Sequence, residues 1–129
     1  MIRYLIDTNI LIDALRYKRP EEHWIAALGR TATLACSVVT LAELYAGIRS
    51  NETERTEAIL GGMELLPVTP AVAIRAGLLK KDWGRRGVTL ALPDVLIAAT
   101  AIAEDMTLVT ANRRHFPMPE LKLYPIPEP

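Results

Sequence analysis

Short apolar blocks alternate along the whole chain with breaks marked by polar residues, glycine or proline. Ile2 to Ile6 is a brief apolar run that stops at Asp7-Thr8-Asn9, the pattern of a buried strand ending at a polar turn. Ile10, Leu11, Ala14 and Leu15 then recur at helical spacing, until Arg16-Tyr17-Lys18-Arg19-Pro20 ends the pattern. Glu21 to Gly29 reads as a second helix entered through Pro20. Thr33 to Ser37 reads as a strand and Thr40 to Ile48 as the helix after it. Asn51 reads as the cap of a helix running to Gly61-Gly62, with Glu54 as its capping-box partner. Leu65 to Val68 is a third short strand. Thr69-Pro70 starts a longer helix through about Trp83, and Gly84 and Gly87 bracket a basic loop holding Arg85 and Arg86. Pro93 and Asp94 open an alanine-rich helix to about Glu104. Thr107 to Thr110 is a fourth strand, Asn112 to Phe116 a helical turn, and Leu121 to Tyr124 an edge strand before a loose proline-rich end.

Strands that are apolar on both faces and alternate with helices predict an α/β fold, a parallel sheet covered by helices on both sides. The 129 residues suit one domain spanning 1–129, with no repeat or linker. Half the residues are hydrophobic, enough for a core without staples. The single cysteine, Cys36, lies in an apolar run and reads as a buried small hydrophobe. No leader-like segment and no apolar run of membrane-spanning length is evident, so a soluble cytoplasmic protein is expected. The formal net charge is zero, so any nucleic-acid contact has to come from local basic patches.

In open parallel sheets ligands bind at the carboxyl ends of the strands. Asp7 directly follows the first strand, Glu43 lies in the first turn of the helix after the second, Asp94 opens the helix before the fourth, and Asn112 follows the fourth. Taken singly, each has a plain structural explanation. Asp7 or Asn9 could cap a helix, Thr40-Leu41-Ala42-Glu43 matches a capping box, Asp94 suits a helix N-terminus, and Asn112 a turn. Together they are harder to dismiss, because carboxylates sharing a crevice repel and lose water, and a hard divalent cation reverses that penalty. Ala46 and Gly47 beside Glu43, and Ala98 and Ala101 beside Asp94, either leave room for an ion and substrate or serve tight helix packing. Zinc-type His/Cys clusters, phosphate-cradling glycine loops and nucleophile elbows are absent from the sequence.

Leu5-Ile6-Asp7-Thr8-Asn9-Ile10-Leu11-Ile12 and Ser37-Val38-Val39-Thr40-Leu41-Ala42-Glu43-Leu44-Tyr45-Ala46-Gly47 resemble the first half of a PIN domain. Leu92-Pro93-Asp94-Val95-Leu96-Ile97-Ala98-Ala99-Thr100-Ala101 and Leu108-Val109-Thr110-Ala111-Asn112-Arg113-Arg114-His115-Phe116 resemble the second. More narrowly, the chain is similar to the VapC-type toxins of toxin–antitoxin pairs. The resemblance implies a three-layer α/β/α fold with a parallel sheet of four or five strands. It implies Asp7, Glu43 and Asp94 as metal-site acids, with Asn112 where a fourth acid is common, and Thr8 and Thr110 as supporting hydroxyls. It implies an Mg²⁺- or Mn²⁺-dependent endoribonuclease, a homodimer, and a small VapB-like antitoxin as partner.

For an RNA substrate the candidate cationic contacts are Arg16, Lys18 and Arg19, then Arg85 and Arg86, then Arg113, Arg114 and His115. All could equally be solvated surface. His115 reads as a packing or surface histidine. Tyr17 and Trp24 could stack on bases, although Trp24 and Trp83 read better as packing or interface residues. Two rivals remain: a non-catalytic PIN-like module binding RNA or protein, and a phosphohydrolase with Asp7 as covalent nucleophile. The second would want an acid where Asn9 stands.

Overall fold

A computed structural model describes residues 2–126. Five strands form one parallel sheet in the order β3-β2-β1-β4-β5, with β1 Arg3–Ile6, β2 Thr33–Ser37, β3 Glu64–Leu66, β4 Thr107–Val109 and β5 Lys122–Leu123. Six helices cover it: α1 Thr8–Leu15, α2 Trp24–Thr31, α3 Val38–Gly47, α4 Thr53–Gly61, α5 Pro70–Arg85 and α6 Leu92–Ala103. Among them, no helix is long and apolar enough to cross a membrane.

The period-2 alternation of the strands divides the core into two layers. Leu5, Ala35 and Leu108 point to one face, where they pack with α5 and α6 through Ala76, Leu79, Val95 and Ala99. Ile6, Cys36 and Val109 point to the other, against Ile10, Leu11 and Leu15 of α1 and Ile25 of α2. Both faces are therefore dry, and the strands read as continuous apolar runs for that reason. Cys36 is a packing residue, as expected, and burial pushes its thiol up to about 11.

Several boundaries differ from expectation. Pro20 opens a 3-10 turn over Pro20–Glu22, and α2 starts only at Trp24. His23 caps it: Nδ1 accepts from the Ile25 N–H at 3.2 Å, and Nε2 meets Asp13 at 2.8 Å. The helix after β2 begins at Val38, two residues earlier than predicted, because Ser37 accepts from the Val39 N–H at 3.0 Å. Asn51 is not a cap either. It lies in a Ser50–Glu52 turn, where Glu52 accepts from the Arg49 N–H at 2.8 Å ahead of α4. Gly84 and Arg85 are still helical in α5, and the break comes at Gly87, whose φ of +84° suits glycine. The C-terminal end is tied down as far as Ile126. Tyr124 stacks on Trp24 with centroids 6.1 Å apart and meets Tyr4 edge-on at 5.2 Å. The last three residues lie outside the described ones.

Candidate active site

The sheet order reverses at β1, whose neighbours β2 and β4 are reached by crossovers in opposite senses. That is where an open parallel sheet splays its loops into a crevice. Asp7 leaves β1 there, and its backbone N–H still donates to Val109 of β4 at 2.9 Å. Asp7 is 5 % exposed, and its carboxylate is fixed on both sides. Oδ1 accepts from the Thr8 N–H at 2.9 Å, which caps α1, and Oδ2 accepts from the Thr110 hydroxyl at 2.7 Å. Capping thus occupies one oxygen, and the second is held by a residue 103 positions away. Thr110 in turn accepts from the Asn112 N–H at 3.0 Å, so β4 and its following turn are tied to the same carboxylate.

Glu43 projects from α3, one and a half turns in from the true start of that helix. The capping-box explanation therefore fails, since Ser37 is the cap. Its Oε1 accepts from the Thr8 hydroxyl at 2.6 Å, and the same hydroxyl is 3.3 Å from that of buried Thr40. Asp94 lies in the first turn of α6 and caps nothing; the N-cap is Ala91. Burial, above all, raises its carboxyl above the ordinary range. The neighbouring charge of His115 opposes this, and Asp7 and Glu43 add to it. Asp7 and Glu43, from two distant elements, thus bear electrostatically on Asp94.

They do not form a closed shell. Among the described residues no three His, Cys, Asp or Glu side chains are close enough to enclose one ion. The donor set is nevertheless all oxygen, and Mg²⁺ commonly uses one or two carboxylates while keeping several waters. Asp7 and Asp94, with Glu43 behind Thr8, fit that habit.

The small residues divide. Ala98 and Ala101 are fully buried in the core and serve packing, whereas Ala46 and Gly47 are exposed on α3. Asn9, standing where a covalent phosphohydrolase would want a second acid, is exposed.

Several candidate RNA contacts are already engaged. Arg16 bonds Glu52 through two nitrogens at 2.9 and 3.2 Å. Arg19 pairs with Glu22 at 3.3 Å. Arg86 pairs with Asp82 at 2.6 Å and lies over Trp83 at 4.3 Å. Tyr17 meets His23 edge-on and stays exposed, whereas Trp24 stacks on Tyr124. Arg113 donates to the Tyr124 carbonyl at 3.2 Å. His115 is a surface residue, as expected, but its Nδ1 lies 3.4 Å from Asp94 Oδ2, a contact that nothing in its sequence context signalled. A recess of about 650 Å³ lies elsewhere, between α1, α2 and α4, and is mainly apolar.

The PIN domain model matches residues 4–120. Ribonuclease VapC10 of Mycobacterium tuberculosis is 37 % identical over 114 residues, covering 88 % of this chain and 86 % of that protein. Ribonuclease VapC2 of Rickettsia felis is 32 % identical over 120 residues, covering 88 % and 89 %. The crystal structure of VapBC2 from Rickettsia felis bound to a DNA fragment from their promoter superposes with a TM-score of 0.83 at 28 % identity, covering 95 % of this chain and 98 % of that one. DNA-bound VapBC from Salmonella typhimurium gives 0.77 at 27 %, covering 96 % and 98 %. With the parallel sheet, the acids at its switch point and these relatives in agreement, the chain belongs to the PIN domain family, in the branch of the VapC proteins.

Proposed function

We propose that the protein is an endoribonuclease that hydrolyses RNA phosphodiester bonds with Mg²⁺ or Mn²⁺, acting in the cytoplasm as the toxin of a toxin–antitoxin pair. The observation that carries this reading is the coupled acidic crevice: Asp7 locked by Thr8 and Thr110, with Asp94 feeling both Asp7 and Glu43. A fold gains nothing from assembling mutually repelling carboxylates unless a cation or a reaction uses them. The names of the relatives support the ribonuclease activity, and the VapBC structures support a VapB-like partner.

Asp7 and Asp94 would hold the ion, and Glu43 would complete the site or accept a proton from water. When bound, the ion supplies positive charge at the phosphoryl oxygens and makes water a better nucleophile at neutral pH. The chain's own residues prepare that arrangement. Thr110 and the Thr8 backbone fix both oxygens of Asp7, and the Thr8 hydroxyl keeps Glu43 beside it. Asn112 stands at the mouth with its backbone tied to Thr110, leaving its amide side chain for water or substrate. A VapB-like antitoxin would cover the crevice, and the apolar recess between α1, α2 and α4 supports a protein partner on that flank. Exposed apolar residues such as Ile74, Leu78 and Tyr45 suit the expected homodimer.

The test is cleavage of structured RNA by the purified protein with Mg²⁺, with Mn²⁺ and with chelator. Cleavage should require the cation and disappear in Asp94→Asn while the circular dichroism spectrum is unchanged. Cleavage that persists in chelator, or full activity in Asp94→Asn, rejects the metal reading.

A further inference from the structure

Acids are not the only like charges this chain gathers. At the end of α1 remote from Asp7, Arg16, Arg49 and Arg55 line a recess of about 410 Å³ together with Leu15, Asn51 and Glu52. Arg16 is the C-cap of α1, Arg49 follows the end of α3 by two residues, and Arg55 lies in the first turn of α4. Guanidinium groups do not lose their charge in proteins, so three positive charges share this space. Among the described residues its lining holds one carboxylate, Glu52, which is ionised because Arg16 and the Arg49 backbone hold it down at about 2. Two positive charges are left over. The guanidiniums are oriented without being saturated. Buried Glu52 grips Arg16 through Nε at 2.9 Å and Nη2 at 3.2 Å, while Nη1 makes no hydrogen bond among the described residues. Arg55 commits Nη1 to the Leu15 and Tyr17 carbonyls at 3.1 and 3.4 Å and leaves Nη2 unbonded. The Arg49 side chain adds its charge but makes no ion pair among the described residues. Preset planar donors around surplus positive charge match an oxyanion.

The recess also connects to the acids. α1 and α3 leave the same edge of the sheet and pack side by side. Thr8 meets Glu43 at one end, and Arg16 meets Glu52 at the other. Between them, on the face of α3 that carries Glu43, stand Ala46 and Gly47, three and four residues on. Both are exposed, and a Cβ added to Gly47 would meet nothing within 4 Å. No bulky side chain stands on that face before Ser50. Resting on the ribonuclease reading, we propose that the recess is a second RNA subsite, in which Arg16, Arg49 and Arg55 hold a backbone phosphate of the strand that reaches the acids. The two ends are separated by the length of α1, about 12 Å for eight residues. A phosphate held there offsets the repulsion of the strand by the crevice acids and fixes its direction, but reads no base.

Arg49 is the position to vary, because losing Arg16 would strand the buried Glu52 charge. Binding of a fluorescein-labelled single-stranded RNA dodecamer is followed by anisotropy in chelator, with melting temperature as the control for folding. Arg49→Ala should bind about fivefold more weakly, as expected for one charge-assisted contact at an exposed site. The slope of log affinity against log salt should become shallower by about 0.7, the share of one phosphate on a single strand. Arg49→Lys should return to within about twofold of wild type, since either cation neutralises a phosphate. Lys122→Ala, which removes an exposed charge on β5, should change neither quantity. With Mg²⁺ present, Arg49→Ala should raise KM at unchanged kcat, the mark of a contact made equally before and during the reaction. Affinity or salt slope unchanged in Arg49→Ala overturns the proposal. Equal weakening by Lys122→Ala does so too, because only bulk charge is then at work. Poly-glutamate binding that depends on Arg49 while RNA binding does not marks a protein-docking recess and likewise overturns it. A wild-type protein that neither binds the dodecamer nor cuts RNA with Mg²⁺ instead brings down the ribonuclease reading beneath it.

Discussion

Replacing Thr110 with Val keeps the shape of the side chain and deletes one hydroxyl. That hydroxyl donates to Asp7 Oδ2 at 2.7 Å and accepts from the Asn112 N–H at 3.0 Å. Thr110 is fully buried and Asp7 nearly so, and water can replace the lost donor only from the crevice side. A hydrogen bond to a charged group contributes about 1.5–3 kcal/mol and a backbone one about 1, so Thr110→Val should cost about 2–3 kcal/mol once partial rehydration is allowed for. For a chain of this length that lowers the melting temperature by roughly 8–12 °C. Thr110→Ser retains the hydroxyl and should lose much less. On the proposed metal reading, saturating Mg²⁺ should restore part of the deficit, since a cation held at Asp7 would replace the missing donor. The assay is thermal denaturation of wild type, valine and serine variants in chelator and in Mg²⁺. A valine variant melting within about 2 °C of wild type, or a serine variant equally destabilised, would refute the idea that this hydroxyl secures the central carboxylate.

The remaining predictions concern other contacts. Thr8→Val frees Glu43 from its 2.6 Å hydrogen bond and should reduce cleavage about ten- to hundredfold at fixed Mg²⁺, the usual effect of removing a group that orients a ligand; unchanged kcat/KM argues against it. Asp94→Asn removes a charge whose carboxyl is raised by burial and by Asp7 and Glu43, so in chelator the variant should melt at or above wild type at neutral pH. A carboxyl raised in this way costs stability once ionised, and the advantage of the variant should shrink as pH falls into the carboxylate range. Arg16, and after it the Arg49 backbone, hold the Glu52 carboxyl down at about 2. Its contribution is complete above the ordinary carboxylate range and lost as pH falls through about 2. The gap between wild type and Glu52→Gln in urea melts should hold near neutrality and close on acidification; a gap independent of pH refutes the assignment.

How far the sequence foretold the molecule depended on the range of the interaction. β2 ends at Ser37 as read, because its apolar run and its polar stop are both local. The start of α3 was missed because Val38-Val39-Thr40 is β-branched and reads as extended chain, while the Ser37 cap and the burial of Thr40 override that propensity. Pro20 suited a helix N-terminus equally well, and His23 is an unusual cap that no spacing rule flags. Asp7, Glu43 and Asp94 could be placed at one edge of the sheet from strand order alone. The hydroxyls that hold them could not, since the Thr8–Glu43 and Thr110–Asp7 contacts join residues 35 and 103 positions apart. They were legible only through resemblance to a family. The approach of His115 to Asp94 depends on how the turn after β4 folds back toward α6, which carries no local signature.

The pairing of β1 with β4 joins segments far apart in the chain, and the Thr110–Asp7 contact spans 103 positions. At a synthesis rate of roughly 5–20 residues per second, several seconds separate emergence of Asp7 from that of Thr110. A chain that stops short of β4 therefore carries an aspartate with no lock on its second oxygen and no β4 carbonyl for its backbone N–H. The site can assemble only after β4 and Thr110 have been made, so the topology itself ties activity to a chain that holds both halves of the fold.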